Sequence, residues 1–334
     1  MRFRTARVVE LLAEREGLQR VETTEGRAFV LTHLTGPVSV GDDVVVNTTA
    51  VDLGLGTGGW HVVHWNLARR DWGEPGPGHL MKLRYTSLQV DTGGAEESGD
   101  VPVELGGVPV VACSLHSQIA GVAATVHHLR PEARVVYVMT DGAALPLALS
   151  DLVASLRQAE LVVSTVTAGH AFGGDLEAVT VASALALAVH RLDADVVVVA
   201  MGPGVVGSGT SLGTTALEVT SILHAASALG GTPIACVRVS DADARDRHRG
   251  ISHHTRTALA HTLVPVAVPL PPSVDPSELG ETIHQVHTVE VPDVAALLTE
   301  AGLHVTTMGR GPTEEPRFFE SCAAAGAVAA ASAF

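Results

Sequence analysis

Lysine is almost absent from this sequence. Lys82 is the only lysine among 21 basic residues, so the other 20 are arginine. A single ammonium in an arginine-rich chain reflects either chance or a need for a compact point charge that a guanidinium does not supply. Cysteine is scarce too: Cys113, Cys236 and Cys322 lie far apart without CxxC spacing, two of them in apolar runs. That excludes a disulfide framework or a structural zinc cluster and predicts reduced, buried thiols in a cytoplasmic protein. Basic charge is short, at 21 residues against 36 acidic ones and a net charge of −15. Such a balance opposes sequence-independent attraction to nucleic acid or to an anionic membrane, short of a local basic groove. No apolar run is long enough to span a bilayer. The N-terminal MRFRTARVVELLAEREG places charges where a signal peptide needs its apolar segment, so a soluble, unprocessed chain is expected.

What the chain does have is core-forming material. With 334 residues, 46% hydrophobic and 17% charged, it can bury a large core, two domains are expected, and disordered and fibrous classes are excluded. Residues 1–95 read as a β-rich, barrel-like domain. Short β-rich runs (ARVVELLAE, LQRVETTEG, RAFVLTHL, GPVSVGDDVVVN) are separated by turn signals, and Val44 and Val46 alternate with Val45 and Asn47. The glycine-rich LGLGTGG then feeds the aromatic strand WHVVHWNL, whose His61 and His64 are read as core or rim residues. TGGAEESGD, from Thr92 to Asp100, has linker composition.

Residues 101–334 alternate apolar strands with helices expected at Gln118 to Leu129, Leu147 to Gln158, Asp175 to Arg191, Leu212 to Leu229, Ser252 to His261 and Asp293 to Glu300. A last alanine-rich helix is expected from Arg317. The strand runs are continuously apolar, the signature of parallel strands covered on both faces. The expected fold is therefore α/β: a doubly wound, mainly parallel Rossmann-like sheet preceded by a small N-terminal β-barrel-like domain.

Ligands of open parallel sheets bind outside the carboxyl ends of the strands, and there the loops are rich in glycine, histidine and aspartate. The segment Gly202-Pro203-Gly204-Val205-Val206-Gly207, with Ser208, Gly209 and Thr210, follows a strand and precedes a helix. In that context backbone N–H groups cradle a phosphate, with Asp241 after the next strand as a ribose-binding acid. The bland reading is a glycine-rich packing turn, and the missing lysine excludes a Walker A loop. Asp246, His248 and His254 offer divalent-metal ligands. His253 and His170 offer acid/base chemistry, Lys82 a catalytic ammonium and Arg84 an anion contact. Against these stand helix caps and surface ion pairs with Arg245, Arg247 and Arg249. Because adjacent histidines at a helix start point apart, at most one of His253 and His254 is expected to ligate a metal. His170 with Asp175 and Glu177 is read either as a second acidic cluster or, equally, as a helix start with Asp175 as its N-cap and Glu177 facing the helix dipole.

The strings NTTAVDLGLGTGGWH, HLMKLRYTSLQ, AFGGDLEAV, AMGPGVVGSGT and RHRGISHHT resemble those of a bacterial family catalogued as domain of unknown function 3866, over nearly the whole chain. Trp60 departs from that pattern, where an aromatic of another kind is usual. The resemblance implies a stand-alone cytoplasmic protein and brings no activity, cofactor or catalytic residue. The functional expectation therefore rests on the residues: a small anionic, phosphorylated or nucleotide-like ligand bound at the carboxyl edge, in an enzyme or in a protein that keeps an enzyme-like pocket. The cofactor is left open, with a nucleotide or a divalent metal as the candidates, and so is a homo-oligomer. The alternatives are a ligand-sensing or partner-binding module without turnover, and an RNA-associated protein using the barrel, which the acidic charge disfavours.

Overall fold

Valine at every second position turns one face of a strand inward, and the N-terminal unit is built on that rule. The computed structural model describes residues 1–55 and 58–333; Gly56 and Thr57 of the glycine-rich LGLGTGG loop, and Phe334, lie outside the described residues. The chain divides into two compact units, Met1–Gly93 and Gly94–Phe334. In the first, strands β1 (Phe3–Arg15), β2 (Leu18–Thr23), β3 (Gly26–Leu31), β4 (Asp43–Asn47) and β5 (His61–Asn66) close into a barrel of order β1-β2-β3-β5-β4. The pair β3 and β5 is parallel and β1 closes antiparallel on β4. Ala6, Val8, Val21, Ala28, Val30, Val44, Val46 and Val63 fill its interior. Two single turns, α1 (Thr32–Thr35) and α2 (Thr49–Asp52), and a small hairpin of β6 (Met81–Lys82) with β7 (Val90–Asp91) complete this unit.

The second unit holds an eight-stranded, wholly parallel Rossmann-like sheet. Its strands are β8 (Pro109–Cys113), β9 (Val135–Thr140), β10 (Ser164–Ala168), β11 (Leu176–Ala178), β12 (Val196–Met201), β13 (Thr232–Cys236), β16 (Ala267–Leu270) and β17 (Gln285–Thr288). They lie in the order β11-β10-β9-β12-β8-β13-β16-β17. A short antiparallel pair, β14 (Val239–Ser240) with β15 (Gly250–Ile251), follows β13. All six residues of β12 are fully buried, at about 1.5–3 kcal/mol for each large side chain removed from water. Helices α3 (Gln118–Leu129), α4 (Asp151–Gln158), α8 (Val294–Glu300) and α9 (Pro316–Ser332) share one apolar cluster with Val111, Tyr137 and Val198. Helices α5 (Val181–His190), α6 (Glu218–Ala228) and α7 (His253–His261) share the other with Val110, Val136 and Val197. The chain moves one way across the sheet through α3 and α4 and returns through α5, α6 and α7. Reversing direction with one crossover hand changes the face used. Adjacent strands β9 and β12 therefore lead out to opposite faces, which opens a crevice at their carboxyl ends.

Helix α3 has the ends expected from the sequence, whereas α4, α5 and α6 start several residues later. Asp175 is not a helix cap: its carboxylate accepts from Thr165 N and Oγ1, and Glu177 accepts from Thr167 Oγ1, so Leu176–Ala178 is held as an edge strand on β10. The helix beyond begins at Val181 behind a Thr180 capping box. Helix α6 begins at Glu218 because the preceding residues fold into a loop of their own. The alanine-rich α9 packs closely on α3, where a Cβ on Gly121 would stand 2.7 Å from Cys322 Cβ and one on Gly326 2.7 Å from the Val122 carbonyl oxygen. The three cysteines are free, buried and share one apolar cluster, with Cys113 and Cys236 side by side on β8 and β13. No helix among the described residues is long and apolar enough to cross a membrane.

Candidate functional site

Four loops build the carboxyl edge of the second unit, and hydrogen bonds between them set its shape. After β8, Gln118 is fully buried and anchors the turn: its Oε1 accepts from Leu115 N, while its Nε2 donates to the Cys236 and Val237 carbonyls. This turn presents His116. The Met201 carbonyl lies 3.0 Å from His116 Nδ1 and fixes the proton there, so Nε2 accepts from the Ser150 hydroxyl at 2.6 Å. Burial pulls the imidazole pKa down to about 4, and His116 is neutral at physiological pH. Ser150 also caps α4 by accepting from Val153 N. A cavity of ≈ 430 Å³ opens beside this pair, lined by His116, Ser117, Asp151, Ser155, Gly204 and Thr307 among others.

After β9 come Thr140 and Asp141. The Thr140 hydroxyl donates to Glu218 Oε1 at 2.6 Å, and Asp141 Oδ2 accepts from His170 N. Two glycines make room for these carboxylates: a Cβ on Gly142 would stand 2.5 Å from Glu218 Oε2, and one on Gly169 2.3 Å from Asp141 Oδ2. Burial, with Asp141 adding to it, pushes Glu218 up to about 7 against the Thr140 hydrogen bond. A carboxyl group poised there can hold or release a proton near neutral pH.

The β12 loop turns part of the expected phosphate cradle inward on itself. Ser208 N donates to the Gly213 carbonyl, Thr210 N to Ser208 Oγ and Gly213 N to Thr210 Oγ1, while Gly207 bridges Thr214. These donors are spent within the loop, and a 3₁₀ turn at Thr215–Leu217 separates it from α6. The glycines have distinct roles. A Cβ on Gly202 would stand 2.3 Å from the Ala144 carbonyl oxygen, so this residue serves close packing of two loops. Gly204, at φ 101°, faces open space at the cavity. Gly202→Ala is therefore expected to lower the stability of the second unit by about 1–3 kcal/mol in urea unfolding. A loss under about 0.5 kcal/mol would show that the loops separate freely.

The β13 loop meets the β12 loop: His254 Cε1 lies 3.7 Å from a Cβ built on Gly207, and Arg247 Nη2 lies 3.6 Å from one on Gly209. His248, His253 and His254 cluster here, with ring centroids 4.3–4.9 Å apart and potential ligand atoms within 4.8 Å of one another. Burial, then the neighbouring arginines, lowers His248 to about 3; burial, then His253 and the arginines, lowers His254 to about 4. His253 is lowered by the same causes, burial first. Asp246 is not part of the cluster, since its side chain is 93% exposed and pairs with Arg249. Asp241 is taken by Arg317 at 2.7 Å, with its own N–H donating to Glu315. His170 stands on the β10 loop beside Asp141. Lys82, buried in β6, and Arg84, exposed, belong to the first unit.

All four loops fall within residues 27–326, which match the family model described as protein of unknown function (DUF3866). The chain belongs to the DUF3866 family. No curated protein and no solved structure matches it. Within this DUF3866 chain, sequence reasoning missed Glu218, which sits inside an expected helix with no motif around it. It also gave no role to His116, whose contact with Ser150 spans a sequence separation that no local pattern reports.

Proposed function

We propose that the protein is an enzyme that binds a small anionic ligand, phosphorylated or nucleotide-like, at the carboxyl edge of the parallel sheet. The observation that carries this reading is the gathering of guanidinium groups at one point of a chain with net charge −15. Arg238, Arg245, Arg247 and Arg256 all lie close enough to depress the histidine pKa values. Arg238 and Arg245 share the single carboxylate of Asp243. Arg247 makes no ion pair among the described residues and is exposed against Gly209. A positive field in an otherwise acidic molecule concentrates anions locally. Glu218 supplies an acid/base group on the same edge. The buried free thiols support a reducing, cytoplasmic setting.

Calorimetric melts with inorganic phosphate, pyrophosphate or AMP, at matched ionic strength, test this reading. At least one anion is expected to raise the melting temperature of the native sequence, and Arg247→Glu is expected to abolish the rise. At a ligand concentration of about 100 Kd the stabilisation amounts to about 2.7 kcal/mol. An equal rise in Arg247→Glu, or none in the native sequence with any of the three anions, overturns the proposal.

A further inference from the structure

We infer that His248, His253 and His254 form the protein half of a divalent transition-metal centre, with coordination positions left open toward the β12 loop. Adjacent histidines at a helix start would ordinarily diverge, and Ser252 is what gathers these. Its hydroxyl oxygen lies 2.8 Å from His248 Nδ1 and accepts from His254 N at the start of α7. That contact draws the His248 ring over the first turn of α7, against both of its histidines.

Packing alone gives no reason for this arrangement. His248 and His254 are 1% and 6% exposed, no carboxylate among the described residues forms an ion pair with any of the three rings, and His254 Nδ1 and His253 Nε2 are buried without a hydrogen-bond partner there. Folded chains rarely leave buried polar nitrogens in that condition, and a coordinated cation satisfies both at once. Tetrahedral coordination at about 2.0–2.1 Å sets ligand nitrogens roughly 3.4 Å apart, so small ring rotations close the cluster on an ion. The Ser252 contact leaves His248 Nε2 to ligate and holds the ring from behind, as outer hydrogen bonds do at metal-bound imidazoles.

The donor set determines the class of metal. Three imidazoles, with Asp246 turned to Arg249 and Asp243 bound by two arginines, suit zinc, cobalt, nickel or copper and not magnesium or calcium, which need oxygen ligands. Three protein ligands also leave room for water or an anionic oxygen, the arrangement of catalytic and not of closed structural sites. Gly207 beside His254 and Arg247 beside Gly209 border that open side.

The inference stands on the imidazole geometry and not on the anion reading, so the metal alone is the probe. Untagged full-length chain, stripped with chelator, is titrated with Co²⁺ and followed by visible absorption, and zinc is counted by elemental analysis after dialysis. One metal per chain is expected, with a tetrahedral or five-coordinate cobalt spectrum. His254→Ala and the half-buried His253→Gln are each expected to weaken binding by more than about tenfold, while His261→Ala leaves it unchanged. Circular dichroism identifies any variant that fails to fold, and His253→Gln then decides alone. Absence of stoichiometric binding, or equal affinity in folded His253→Gln, overturns the inference and leaves the phosphate test standing.

Discussion

Asp243→Ala is expected to destabilise the second unit by about 3–5 kcal/mol, as measured by urea unfolding near neutral pH. Asp243 and Arg238 are each only 4% exposed, and the Asp243 carboxylate takes Arg238 Nη2 at 3.2 Å. The same carboxylate receives Arg245 through Nε and Nη2 at 2.9 and 2.8 Å, and through its backbone N–H at 3.0 Å. Hydrogen bonds from Arg245 hold the carboxyl well below the usual carboxylate range although burial opposes them. Removing it strands the Arg238 guanidinium, which burial has already pulled down to about 10, without its carboxylate. Such a loss exceeds what the intact pair contributes, because the cost is the uncompensated charge. The depressed pKa fixes the pH dependence. The contribution is complete above the ordinary carboxylate pKa, near 4, and is lost as pH falls through the lower folded value. Asp243→Ala should therefore lose less further stability on acidification than the native sequence does. A loss below about 1 kcal/mol near neutral pH would show that water reaches Arg238 and that the charge is not desolvated.

Glu218→Gln is expected to act in the opposite direction, raising stability above about pH 7 by about 2–3 kcal/mol and having almost no effect near pH 4. In the folded chain Glu218 is pushed up to about 7 by burial and then by Asp141. Between the ordinary glutamate value and 7 the folded state keeps a proton that the unfolded state releases, so stability falls as pH rises through that window and stays lower above it. Glutamine cannot ionise and keeps an oxygen for the Thr140 hydroxyl, 2.6 Å from Oε1 in the native chain. Urea midpoints at three pH values between 4 and 8 decide the point, and a gain independent of pH would refute the assignment.

Local pattern determined much of this protein, because it reports which faces of the chain must leave water. Alternation through Val44 and Val46 specified a barrel strand, and continuous apolar runs such as Val196–Met201 specified parallel strands covered on both faces. Helix α3 was legible at both ends. Once the sheet is parallel, the glycines and histidines after its strands must stand on one edge, and there His254 meets Gly207. Which side chains touch one another was settled only by strand order, a sum of non-local pairings. Threonines on β10 hold Asp175 and Glu177 and turn an expected helix start into a strand. Ser208 and Thr210 close the glycine loop on itself, which engages two donors of the expected phosphate cradle, Ser208 N and Thr210 N, within the loop. Glu218 acquires its raised proton affinity from burial under the folded sheet, with Asp141 adding to it, and Ser252 gathers three imidazoles that sequence adjacency alone would send apart. The periodicity of a segment encodes its own burial; the partners of its polar groups come from elements far along the chain, and only the folded sheet brings them within reach.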